Sequence, residues 1–253
     1  MTELAEVLQQ LGIDTTTLTL FCTTPEGPVY SLPVMGDKAV SYWRSLRQLV
    51  DSTGLWPVIS RSRESLGYST NDIEALIEEL QSGAASRIIM AASFIDPVAW
   101  LKQRWSALVD DDEEEDPASF REAIQGTRPG EGTPITAFSI PSSAVVELNL
   151  IPTTVPWRVP AYFRYGGGGG LEPAEHVAIL RRWNALYGAE IVGINGDTIE
   201  MQVSRPPRDR EVALDLAWEQ FCYCWDIVIQ GVRTVENLAA TLLNSPVWYF
   251  WWD

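Results

Sequence analysis

Five consecutive glycines, Gly166 to Gly170, stand shortly before the only histidine of the chain, His176. A glycine run that opens a helix can cradle phosphate with its backbone amides. This run has neither the Gly-Lys-Ser/Thr ending of a phosphate loop nor the spacing of a dinucleotide fingerprint. Glu172 and Glu175 at the helix start would also repel phosphate, so the run reads as a flexible loop able to cover a cleft. A lone imidazole suits general acid–base work, but a Ser-His-acid set needs a nucleophile and an orienting acid that converge on it. One histidine cannot build a multi-histidine metal site, and a mixed set with Cys224, Asp226 or Glu190 needs convergence that spacing does not supply. No metal and no cofactor are expected. His176, Glu190 and Asp226 are the candidate catalytic residues. Tyr162, Gly166, Gly167, Trp183 and Trp248 are the candidate lining of a cleft. The blander reading of His176 is a buried structural histidine.

Cys222-Tyr223-Cys224 is not a CxxC redox motif, and with Cys22 it forms no disulfide framework, which fits a reduced, cytoplasmic protein. Asp226 lies among Trp225, Ile227 and Val228, so a buried carboxylate there needs a donor. Arg181, Arg182 and Arg233 are the expected choices. Net charge is −16, yet residues 110–133 hold 9 acidic against 2 basic groups. The excess is concentrated in the run Asp110–Asp116, which reads as a solvated linker. The chain has no basic footprint for nucleic acid and no apolar stretch long enough for a membrane span. Its acidic start, Met1 to Glu6, lacks the basic end of a signal peptide.

The elements that must position these groups follow from periodicity and punctuation. Leu4, Val7, Leu8 and Leu11 make a helical stripe. Leu18–Phe21 and Val29–Val34 flank the turn Pro25-Glu26-Gly27-Pro28 as strands. Residues 39–50 predict a helix, Gly54–Ile59 a buried strand, and Asn71–Gln81 and Pro97–Val109 two helices, with Asn71 as an N-cap. Further on, Trp157–Phe163 predicts a strand and Pro173–Tyr187 a helix stopped at Gly188. Asn195-Gly196 predicts a hairpin between Ala189–Ile194 and Thr198–Val203. A long helix is expected from Arg208 to Ile229, then a short one capped by Thr234. Val247 to Trp252 contains five aromatics in succession and predicts a strand integral to the core.

These features predict an α+β chain in three parts: a smaller α+β region over 1–109, an acidic Pro/Gly linker over 110–133, and a domain over 134–253. The last has the order β-α-β-β-α-(α)-β, the ferredoxin-like pattern of a mostly antiparallel sheet.

Ordered phrases in the C-terminal part carry a resemblance. They are Val159-Pro160-Ala161-Tyr162, Gly166-Gly167, Glu175-His176-Val177-Ala178, Arg182-Trp183, Tyr187-Gly188-Ala189-Glu190, Arg205-Pro206-Pro207, Tyr223-Cys224-x-Asp226 and Ser245 to Asp253. Over about residues 145–253 the chain resembles the bacterial family called domain of unknown function 4253. The resemblance implies a bacterial protein and no established activity. Relatives continue the double glycine with Trp-Asn, where this chain has Gly168 and Gly169, so a site built on that pair is altered here. The expected function is a non-enzymatic protein-interaction role, of immunity or accessory type, with a protein as partner. The alternative is a small-molecule-binding protein or enzyme with a cleft near the glycine loop and His176.

Overall fold

Strands form where β-branched and aromatic residues, which fit a pleated half-buried surface, run between turn signals. The computed structural model describes residues 2–63, 69–110, 130–167 and 170–253. Among these residues the strands are β1 (Thr19–Thr24), β2 (Gly27–Met35), β3 (Trp56–Ser60), β4 (Val145–Ile151), β5 (Ala189–Ile194), β6 (Thr198–Val203) and β7 (Val247–Trp251). They form one seven-stranded sheet of order β1-β2-β4-β3-β5-β6-β7. The helices are α1 (Thr2–Gln10), α2 (Gly36–Arg47), α3 (Val50–Thr53), α4 (Thr70–Gln81), α5 (Ala84–Ser93), α6 (Pro97–Asp110), α7 (Val159–Phe163), α8 (Pro173–Tyr187), α9 (Arg210–Tyr223) and α10 (Val235–Leu242). The architecture is α+β with a mixed sheet. No single helix among the described residues is long and apolar enough to cross a membrane.

β4 organises the sheet. It is antiparallel to β2 on one side, with Leu32 opposite Leu148, and to β3 on the other, with Val58 opposite Asn149. β3 then meets β5 in the one parallel pairing among the described strands, at Ile59 and Gly193. The sheet is therefore continuous from the N-terminal part into the C-terminal part. The acidic run from Asp111 to Asp116 and residues 117–129 lie outside the described residues; Asp110 closes α6. Gly130 and Gly132 press against the backbone of α10 at Glu236 and Asn237, where a side chain would clash.

The ferredoxin-like order is not found. The strand expected to open it, Trp157–Phe163, is helical, and β4, the strand that precedes β5, has both edges taken by β2 and β3. β7 accordingly takes the free edge of β6, with Met201 opposite Trp248. Three local expectations also change. Residues 156–163 are a 3-10 turn followed by α7, not a strand, because Pro156 and Pro160 each occupy the first turn of a helical segment. The long helix expected to Ile229 stops at Tyr223, and a π-helical turn, Ile227–Val232, follows. Ser69, not Asn71, caps α4, through a reciprocal capping box with Asp72. The sequence reading also passed over α5, an alanine-rich segment opened by Gly83 in the left-handed region.

The aromatic strand covers α8. Trp183 is fully buried and stacks on Phe250 with ring centroids 5.4 Å apart and planes 9° apart. It meets Tyr223 and Trp248 edge-on at 5.0 and 5.9 Å. Trp248, Phe250 and Trp252 are buried, while Tyr249 and Trp251 on the other face are half-buried. Phe250→Ala removes one wall of this block, and large-to-small changes at such sites cost about 3–5 kcal/mol. Urea unfolding of that variant is expected to show a loss of this size; a loss below about 1 kcal/mol would show that the block is not what holds β7.

Candidate functional site

β3, β5 and β7 run in one direction, so their carboxyl ends share one edge of the molecule. The chain leaves β3 as Ser60-Arg61-Ser62-Arg63 and leaves β5 as the hairpin Asn195-Gly196. The two exits are tied together, because the Arg61 backbone N–H donates to Asn195 Oδ1 at 2.7 Å. A third segment arrives from α7, whose C-cap Arg164 has φ 45°, a left-handed conformation that turns the chain back into Tyr165-Gly166-Gly167. Gly167 has φ 57° and packs against the rings of Tyr165 and Trp252, so both backbone and space require glycine. Gly168 and Gly169 lie outside the described residues.

These three segments enclose a cavity of about 200 Å³ lined by Arg61, Arg63, Arg164, Tyr165, Gly166, Gly167 and Asn195, with Phe163, Leu76 and Ile194 among its apolar walls. Among the described residues its lining has three arginines and no carboxylate, in a chain with 18 basic and 34 acidic residues. Arg164 forms an ion pair with Glu79 of α4, and Arg63 lies over the Phe21 ring at 3.9 Å. Arg61 is exposed at the rim.

His176 lies beneath this cavity, in the first turns of α8, and is fully buried. Its Nδ1 shares a hydrogen bond of 2.6 Å with the Tyr223 hydroxyl. Its ring is boxed edge-on by Tyr165, Tyr223 and Trp252 at 4.9, 5.4 and 5.6 Å. Nε2 makes no well-aligned hydrogen bond to another described residue. Burial pushes the imidazole down to about 4, and the Gly166 backbone pulls weakly the other way. The same burial holds the Tyr223 phenol well above its ordinary value. Histidine is therefore neutral at physiological pH, and it reaches the cavity only through Tyr165 and Gly166.

The other sequence candidates go to separate partners. Glu190 makes a two-pronged contact with Arg47, at 2.8 and 2.5 Å, and that guanidinium also lies 4.6 Å from the Trp56 ring. Asp226 accepts from Gln230 Nε2 at 3.2 Å and from the Asp253 backbone N–H at 3.3 Å. The expected arginines are used elsewhere: Arg182 on Glu219, Arg181 on the Ala92 and Ile95 carbonyls, Arg233 on the Ile229 carbonyl. Tyr162 donates to the Pro152 carbonyl at 3.1 Å, at the far end of the sheet. The Trp183 indole donates to Glu219 at 2.9 Å; Trp248 is buried beside it. Of the candidates, only Gly166 and Gly167 line the cavity, and His176 lies behind Tyr165.

Residues 147–253 match the family model called Domain of unknown function (DUF4253). No curated protein and no solved structure matches the chain. The DUF4253 match takes in Arg164 to Gly167, His176 and Asn195. Arg61 and Arg63 lie outside it, so the cavity joins the DUF4253 part to the N-terminal part.

Sequence reasoning missed Arg61, Arg63 and Arg164. The usable signal was Arg-Ser-Arg directly after a buried strand. Of Glu172 and Glu175, expected to repel an anion, Glu175 is engaged elsewhere: it accepts from the Glu172 backbone N–H at 2.7 Å and from the Trp100 indole at 2.6 Å.

The buried imidazole gives a pH signature. Its folded pKa lies below its ordinary value of 6.5, so the unfolded chain binds the extra proton between about 6.5 and 4 and stability falls as pH falls through that window. The full effect is on the order of 3 kcal/mol at 1.36 kcal/mol per pKa unit. Burial raises the carboxyl of Glu200, so its contribution has the opposite sign. Urea unfolding of wild type and His176→Phe across this range isolates the imidazole. The wild-type curve is expected to drop more steeply below pH 6.5; parallel curves would show that the ring is not held neutral.

Proposed function

We propose that the protein binds a small anionic ligand, a phosphate- or carboxylate-bearing molecule, in the cavity at the carboxyl ends of β3 and β5. The observation that carries this is the gathering of Arg61, Arg63 and Arg164, with no acidic residue among the described lining residues, on a chain of net charge −16. Guanidinium forks match carboxylate and phosphate geometry. Crevices outside the carboxyl ends of neighbouring parallel strands are common ligand sites in open sheets. A volume of about 200 Å³ suits a small group, since drug-sized sites span roughly 300–1,000 Å³. His176 then acts as part of the floor. It is walled off from the cavity by Tyr165, which favours binding over acid–base catalysis.

A cytoplasmic bacterial setting belongs to this reading, since buried free thiols suit a reducing compartment. Burial pushes Cys22 and Cys222 up to about 11 and Cys224 to about 12, which keeps all three protonated.

The protein-interaction role has one observation of its own. Met90, Phe94 and Val98 are exposed beside an apolar groove of about 400 Å³ containing Leu101, Trp105 and Trp218. A photo-crosslinking residue at position 94 is expected to give a discrete adduct in the cell of origin, and one at the exposed Glu211 is not; equal labelling at both would remove this reading.

Anion binding is tested with inorganic phosphate against sodium chloride of matched ionic strength. Phosphate is expected to raise the melting temperature, because a ligand at a hundredfold its Kd stabilises by about 2.7 kcal/mol. Arg61→Ala is expected to weaken phosphate binding about tenfold, with Arg61→Lys between the two, since a charge-assisted hydrogen bond contributes about 1.5–3 kcal/mol. A melting temperature that follows ionic strength alone would overturn the proposal.

A further inference from the structure

The rim residues Ser60, Arg61 and Asn195 are shared with a second cavity, of about 290 Å³, on the other side of the sheet edge. Its chemistry differs, because two carboxylates face the shared Arg61 there. Glu200 and Asp197 stand in its wall, with Ser139 and Tyr249. Glu200 projects from β6 opposite Gly193 and Tyr249, and is 5% exposed. Ser139 is its donor, through a backbone N–H at 3.1 and 3.0 Å from the two oxygens and through its side chain, and no Lys, Arg or His of the described residues forms an ion pair with it.

A carboxylate has about four lone-pair sites, and a single serine leaves some of them open. Buried carboxylates are normally paired with a cation, because an unpaired buried charge is costly. Burial raises the Glu200 carboxyl, against the opposing effect of Ser139. Both carboxylates act on the same wall: the Tyr249 phenol is raised by burial first and then by Glu200 and Asp197. The wall therefore offers a desolvated acceptor facing open space, next to a site built for an anion.

We propose that the ligand is bipolar: its anionic group sits among Arg61, Arg63 and Arg164, and a primary amine on the same molecule reaches past Asn195 to Glu200. This rests on the anion-binding reading above and adds the second charge. An ammonium brings three donors, which suits the open lone pairs of Glu200.

Calorimetry on the full chain tests it with ω-aminoalkylphosphonates of increasing chain length, each against the alkylphosphonate of the same length. One length is expected to bind about tenfold or more tightly than its amine-free match, as a charge-assisted contact predicts. Glu200→Gln is expected to erase that advantage, so that each aminoalkylphosphonate binds no tighter than its amine-free match; Asp197→Asn, at an exposed position, is expected to reduce it only partly. If Glu200→Gln does not fold, the wild-type length series decides alone. Alkylphosphonates that bind with no gain from the amine at any length overturn the bipolar ligand and leave the anion reading standing. So does an advantage that survives in a folded Glu200→Gln variant. No binding of either series overturns both.

Discussion

The parallel contact between β3 and β5, at Ile59 and Gly193, is short, and much depends on it. It sets the chain exits Ser60–Arg63 and Asn195–Gly196 side by side, and the Arg61 N–H to Asn195 bond fixes their spacing. Without that register the arginines after β3 would have no fixed relation to the Tyr165–Gly167 turn. The pairing is itself held from behind, because β4 clamps β3 along its other edge over Trp56 to Ser60. The Trp56 indole also crosses to the Ile191 carbonyl at 3.2 Å, a second buried link between the two strands. The candidate site is thus a property of the whole sheet.

Below the site the molecule is dry and aromatic. Trp252 touches Tyr165, His176 and Tyr223, and continues through Phe250 into Trp183. Edge-to-face rings in such a cluster hold one another at preferred angles, so the floor under Gly166 and Gly167 is stiff while the glycines above have no side chains to lock them. Charge is arranged in the same spirit. The protein repels anions at long range, yet a low-dielectric cleft lined by one sign focuses its own field. An anion that enters between the arginines competes with Glu79 for Arg164, while Glu175 at the start of α8 is held by the Glu172 backbone N–H and the Trp100 indole.

Much of the fold was legible because it is written locally. The turn at Asn195-Gly196, the Pro173 start and Gly188 stop of α8, and the Thr234 cap are all short-range chemistry. Failures came where long-range pairing decides. The sequence reading passed over Val145–Ile151, and nothing near it says that it separates β2 from β3. Residues 156–163 look strand-like by composition, but two prolines at helical first turns decide otherwise. The candidate site fared likewise. His176, Gly166 and Gly167 were picked out by residue type and do lie around one place. Glu190 and Asp226 were picked by the same criterion and find Arg47 and Gln230. The arginines of the cavity were invisible because their meaning depends on a strand pairing, and buried polar groups take whichever donor the fold brings near.

The position of β4 also orders events in time. β2 and β3 lie far upstream of the strand that must fill the slot between them. Until Val145–Ile151 arrives, both present bare rows of N–H and C=O groups beside apolar residues such as Leu32, Val34, Val58 and Ile59. Closing so long a loop is slow, because its entropy is lost before any ladder bond is gained. A chain caught in that interval carries two unpaired edges that any strand of suitable hydrophobicity can occupy, including the same segment of a neighbour. Insertion of a single strand therefore separates productive folding from intermolecular β-pairing.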